Sequence, residues 1–148
     1  MAEYRGYILP EDLFYDLDYV WFRREAGGLV SIGVTDPAQT LAGRVQAAHI
    51  KKVGTEIRPG RHVATLESAK WVGGIPVPFA ATVVERNETV LAQPHLLNVD
   101  PYGQGWIARL QPREPNEAFA GLSTGAAAVA ALRQWIDRYD VECMRCSD

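Results

Sequence analysis

The stretch HVATLESAKWVGGIPVPFAATVVERN, residues 62–87, decides how this chain reads. It contains three short runs, HVATLE (62–67), KWVGGIPV (70–77) and AATVVERN (80–87), rich in β-branched and apolar residues and punctuated by glycine and proline. Runs of this length predict strands, and several in succession argue for a β-sandwich or a small barrel.

The pattern continues upstream. YVWFRRE (19–25) and LVSIGVT (29–35) are β-rich and separated by Ala26-Gly27-Gly28, a hairpin signal, because glycine supplies the positive φ of tight turns. DPAQTLAG (36–43) predicts a short helix capped by Thr35 or Asp36, with Pro37 at its start and Gly43 at its exit. RVQAAHI (44–50) is a further strand, followed by turn residues Gly54 and Pro59-Gly60. Residues 1–18 read as a polar and aromatic lead-in, with Pro10-Glu11-Asp12 a turn or the start of a short helix.

Downstream, ETVLAQPHLLNVD (88–100) predicts a short helix broken by Pro94, DPYGQG (100–105) a turn, and WIARLQ (106–111) a closing strand. The alanine-rich segment 116–140 has no proline. Ala127, Ala130, Ala131, Trp135 and Ile136 fall near helical spacing, which predicts a C-terminal helix whose start is blurred by Gly121 and Gly125. Such a helix packs on its own sheet or docks a partner.

The length of 148 residues suits one domain with one sizeable core. A charged fraction of 22 % and a net charge of −3 belong to an ordinary globular protein and give no sign of a nucleic-acid binder. No apolar run approaches a membrane span, and the first residues lack the pattern of a signal peptide, so the expected location is the cytoplasm.

Chemistry-bearing residues are few. His49, His62 and His95 have no metal-ligand spacing, so no metal site is expected, and a lone histidine reads as structural or surface. Ser68 is not in a nucleophile-elbow motif, and no phosphate-binding glycine loop is present. Cys143 and Cys146 form a C-x-x-C in the tail 141–148, either inert or a thiol-exchange pair. No self-contained active site is visible, so the chain is not expected to be an enzyme on its own.

Lys70 stands apart. The chain has twelve arginines and only three lysines, Lys51, Lys52 and Lys70. Arginine serves where charge alone is wanted, whereas a lysine amine can be modified. Lys70 falls at the tip between two β-rich runs, either as a solvated surface residue or as a presented amine.

Three ordered motifs extend this reading over about residues 13–111. LVSIGVTDPAQTLAG resembles the TVGIT-x-x-AQ-x-x-LG segment of the glycine cleavage H-protein family, relatives of the lipoyl and biotinyl carrier domains. VGTEIRPGRHVATLESAKWV resembles its ESVKA lipoylation segment, and VVERNETVLAQPHLLNVDPYGQGWIARL its VVEVNE…P-x-LVN-x-DPYG-x-GW segment. The resemblance implies a mainly β fold, a flattened barrel or sandwich of two antiparallel sheets with short peripheral helices. It implies lipoate in amide linkage to Lys70. It also implies that Glu67 assists ligase recognition or fixes the turn, unless it is a plain surface carboxylate. A lipoate-protein ligase and lipoamide dehydrogenase follow as partners. The carrier itself needs no acid–base pair, because the cofactor supplies the reactive sulfurs.

The chain departs from the family pattern at Asp18-Tyr19-Val20-Trp21, where a histidine is missing, at Ile50-Lys51-Lys52-Val53-Gly54, and at Trp71-Val72-Gly73 after the lysine. These features resemble the H-protein-like lipoate-binding proteins of bacterial sulfur oxidation. That branch implies sulfur-bound intermediates or electrons exchanged with a heterodisulfide-reductase-like complex. The alternatives are an H-protein passing an aminomethyl group between the P- and T-proteins, or a non-lipoylated interaction module. Trp71 is expected to contact the arm or a partner, and Lys51-Lys52 to form a basic docking patch.

Overall fold

A computed structural model describes residues 2–16 and 19–139; Asp18, Cys143 and Cys146 lie outside the described residues. The order is β1 (Ala2–Tyr4), β2 (Tyr7–Leu9), β3 (Phe14–Asp16), β4 (Val20–Arg24), β5 (Val30–Val34), α1 (Asp36–Ala42), β6 (Val45–Ile50), β7 (Glu56–Ile57) and β8 (His62–Ser68). There follow β9 (Val72–Pro76), β10 (Ala81–Arg86), α2 (Glu88–Ala92), α3 (Leu96–Val99), β11 (Ala108–Pro112), β12 (Ser123–Thr124) and α4 (Gly125–Tyr139).

A seven-stranded sheet runs β12-β3-β4-β5-β11-β10-β7, and a three-stranded sheet runs β6-β8-β9, every pairing antiparallel. Between them lies the main core, with Val20, Phe22 and Ile32 from one sheet and Val63, Leu66 and Ile75 from the other. This is the expected two-sheet sandwich with short helices. A second core covers the outer face of the large sheet, where Tyr15 and Trp21 meet Ala128, Val129, Leu132 and Ile136 of α4. Alternation along β4 explains the division: Val20 and Phe22 enter one core and Trp21 the other. With both faces covered, all five residues of β5 are buried.

Two expectations are sharpened. In the lead-in, β1 and β2 form a hairpin and β3 joins the large sheet, while the segment after Pro10 takes the turn of the two forms expected for it. The C-terminal helix begins at Gly125. Residues 113–122 are turns that carry Phe119 into the main core, its ring 4.5 Å from that of Phe14. The helix packs on the sheet as expected, but its buried stripe is Ala128, Val129, Leu132 and Ile136, while Ala127 and Ala130 are exposed. Alanine carries little hydrophobic surface, so the larger aliphatic residues set the buried face.

Candidate functional site around Lys70

Register places Glu67 opposite Val72, and the Ser68 N–H donates to the Trp71 carbonyl at 2.7 Å, leaving Ala69-Lys70 as a two-residue tip. Short hairpin turns normally recruit left-handed residues. Neither tip residue has positive φ, Arg5 being the only non-glycine that does among the described residues. The tip is held from outside instead. The Ser68 hydroxyl donates to the Ala42 carbonyl at 2.6 Å, satisfying one of the orphan acceptors at the end of α1.

That helix end is anchored further. The Asn98 amide donates to the Gly43 carbonyl at 2.8 Å and to the Gln39 carbonyl at 3.2 Å, while its oxygen accepts from the Val45 N–H at 2.8 Å. At the other end, Thr35 caps α1 by accepting from the Ala38 N–H at 3.3 Å. Buried Asp36 accepts from the Ile8 N–H at 3.0 Å and from the Gln39 amide at 2.9 Å. The platform under Lys70 is thus tied to α3, the N-terminal hairpin and β8.

Lys70 is exposed, and its alkyl chain crosses the end of α1. Beside it opens a cleft of about 420 Å³, walled by Ala38 and Ala42 of α1, Leu66 of β8, Trp71, Gly73 of β9 and Trp135 of α4. Gly73 is required by close approach rather than by φ: a Cβ there would overlap the Trp71 ring, so the missing side chain lets the indole lie along β9. The polar side chains facing the cleft include Tyr19, Gln39 and His62, and no carboxylate from the described residues lines it. Burial, with a smaller contribution from Asp16, raises the Tyr19 phenol above its ordinary pKa, so it faces the cleft as a neutral donor.

The other sequence candidates fall on either side of this site. Trp71 is half-buried in the cleft wall. Glu67 points away from the tip, its Oε1 3.7 Å from the His49 Nε2 on a partly exposed surface, and Ser68 holds the turn. Lys51 and Lys52 sit at the opposite end of β8, where the Lys51 N–H donates to the Val63 carbonyl at 2.9 Å. Seven strand residues separate the two ends, about 20 Å. Sequence reasoning missed Ser68, Asn98 and Trp135 as parts of the site. Their roles depend on contacts between elements 26 to 59 residues apart, or on how α4 folds back, and no local motif encodes these. Among the described residues no group of three or more acidic, histidine or cysteine side chains could hold a metal, and no helix is long and apolar enough to cross a membrane.

The comparisons with known proteins converge. The family model described as "Glycine cleavage H-protein" matches residues 13–134. "Glycine cleavage system H protein 2" of Aquifex aeolicus is 45 % identical over 144 residues, covering 97 % of this chain and 89 % of the relative. "Glycine cleavage system H protein 3" of the same organism is 40 % identical over 148 residues, covering 97 % and 92 %. The crystal structure of a glycine cleavage system H protein from Mycobacterium marinum superposes with a TM-score of 0.73 at 26 % identity, covering 83 % of this chain and 98 % of that one.

Proposed function

Because the chain belongs to the glycine cleavage H-protein family, whose members carry lipoate covalently on a lysine, we propose that Lys70 is the attachment point and that the chain serves as a mobile-arm carrier. The observation that carries this reading is the placement of Lys70. Its amine stands exposed at a rigidly held two-residue tip, beside an apolar cleft of a size to shelter an alkyl arm. Bound there in amide linkage, lipoate supplies a dithiolane that can be reduced or can bear a transferred group. The protein supplies presentation. Ser68 and Asn98 fix the platform, the tip exposes the amine to a lipoate-protein ligase, and the Trp71 and Trp135 walls exclude water from a parked arm. Glu67, partly exposed three residues before Lys70 with its carboxylate toward His49, is available for ligase recognition.

In this family setting the cargo is the aminomethyl group, passed from a P-protein to a T-protein, with lipoamide dehydrogenase reoxidising the arm. The names of the relatives support this over a sulfur-oxidation role. Intact-mass spectrometry after co-expression with a lipoate-protein ligase tests the attachment. A lipoyl increment on the wild type that disappears in Lys70→Arg is expected, and an increment that survives that substitution rejects the site. Lys51 and Lys52, at the far end of β8, are the other side-chain candidates.

One observation favours a second reading, a carrier of sulfur-bound groups or electrons working with a heterodisulfide-reductase-like complex. An aminomethyl cargo is an ammonium ion, and an apolar cleft without a carboxylate among its described lining residues offers it no countercharge. Incubating the lipoylated protein with glycine and a P-protein separates the two. Aminomethylation at H-protein rates removes the second reading, and failure to accept the group removes the first.

A further inference from the structure

We infer that His62 is the residue that meets the sulfur end of an arm carried by Lys70, forming a hydrogen bond there through its imidazole. The inference rests on the assignment of Lys70 and holds for either cargo. The cleft follows β9 away from the tip, past Trp71 and Gly73 to Gly74 and His62. His62 is exposed, and its ring covers Gly74, where an added Cβ would overlap the imidazole. Lengths agree. From the Lys70 Cα to the first ring sulfur of a lipoyl-lysine is about twelve bonds, about 14 Å at the extended-chain advance of about 1.2 Å per bond. From Lys70 to Gly74 is four residues, from the tip into β9, at most about 13 Å. An arm laid along β9 is therefore long enough to reach His62.

The chemistry fits as well. Among the side chains lining the cleft, His62 is the one that carries an imidazole, whose two nitrogens can offer a hydrogen-bond donor and an acceptor. A reduced arm ends in thiols. Transfer of one thiol proton to the imidazole breaks the S–H bond, forms an N–H bond and leaves a thiolate beside an imidazolium, with no change in oxidation state. His62 also lines the adjoining groove that holds Lys51, Arg58, Arg61 and Glu56. The charged groups that line this groove with it are thus three cations and one carboxylate, a setting that favours an anionic sulfur.

The test uses the whole chain, with lipoylation verified by intact mass. The three histidines act as internal probes in an NMR spectrum of their imidazole Cε1–H groups. Lipoylation is expected to move the His62 resonance relative to Lys70→Arg and to leave His95, at the start of α3, in place. On the reduced protein near neutral pH, alkylation of the arm by iodoacetamide should slow by about threefold to tenfold in His62→Gln and in His62→Phe, the latter keeping a ring over Gly74. The rates should converge at alkaline pH, where the thiols ionise unaided. A His62 resonance unmoved by lipoylation, or alkylation profiles that coincide, would overturn the inference while leaving Lys70 as the anchor. Absence of the lipoyl mass on the wild type would overturn both.

Discussion

Lys70 and Gly43 are in direct contact across the site: a Cβ built on Gly43 would come within 2.9 Å of the Lys70 Cε. Gly43 sits at φ 81 and ψ −172, a backbone region open essentially only to glycine. Gly43→Ala therefore meets two obstacles. The clash falls on the far end of a flexible side chain and is relieved cheaply, whereas the backbone strain is not. The substitution should cost about 1–3 kcal/mol. A drop of several degrees in melting temperature is expected, with Lys70 still open to lipoylation. An unchanged melting temperature would mean that the helix exit relaxes to another conformation.

Ser68→Ala removes the hydroxyl that satisfies the Ala42 carbonyl and clamps the tip to α1. Because Ser68 is only half-buried, water can replace part of that bond, and the expected loss is about 1 kcal/mol. The sharper signature is local. Amide hydrogen exchange at Ser68, whose N–H closes the hairpin, should quicken by more than the global destabilisation explains. Equal changes throughout the chain would place the clamp's contribution in overall stability rather than in tip order.

The strands that frame the site were legible because their residues alternate or run apolar between glycine and proline breaks; β4, β5, β6, β8 and β10 lie within two residues of their sequence bounds. The N-terminal hairpin was not. Its turn is Arg5-Gly6, with both residues left-handed, at φ 52 and φ 86. An arginine in that first position gives none of the usual asparagine or aspartate signal. Its strands are three residues each, too short to show a period. Lys70 was visible through the scarcity of lysine and the family motif. The cleft was not, because Ala38, Leu66, Trp71 and Trp135 come together only through folding.

Gly33 shows how packing can demand a glycine at ordinary φ. The Trp21 ring lies against it, and an added Cβ would come within 2.5 Å of the ring atoms. Trp21 is fully buried and donates to the Pro101 carbonyl at 3.0 Å, so the ring cannot move without losing that bond. Gly33→Ala should therefore destabilise by about 3 kcal/mol, the upper end of ordinary overpacking. Urea denaturation would measure this as a lower midpoint at unchanged slope. A midpoint equal to wild type would show that the second core yields more readily than its contacts imply.

Tyr15 links stability to alkaline pH. Its phenol is buried, donates to the Pro10 carbonyl, and is held well above the ordinary tyrosine range chiefly by burial, with a smaller contribution from Asp12. A raised folded-state pKa stabilises the fold fully below the unfolded value of about 10, and that stability is lost as pH rises above it. Stability should thus be level near neutrality and decline above about pH 10. Tyr15→Phe should cost about 1 kcal/mol at neutral pH through the lost hydrogen bond, and should flatten the alkaline decline. Tyr19, raised for the same reason, accounts for part of the slope that persists. An alkaline limb as steep in Tyr15→Phe as in wild type would locate the linkage elsewhere.

Trp71 separates modification of the tip from use of the arm. Its indole lies over Gly73 and lines the cleft, so under the proposed attachment at Lys70 an arm parked in the cleft would meet it. A ligase that reads the exposed tip should tolerate Trp71→Ala, with the rate of lipoylation changing by less than about twofold, whereas partner turnover, which needs the arm guided in and out, should fall by about tenfold. Trp71→Phe, which keeps an aromatic wall, should recover most of the turnover. Rate measurements on the two steps with one protein preparation check this, since a general folding defect would lower both together. A larger loss in lipoylation than in turnover would make Trp71 a determinant of the ligase, and the cleft wall would then be read from outside rather than by the arm.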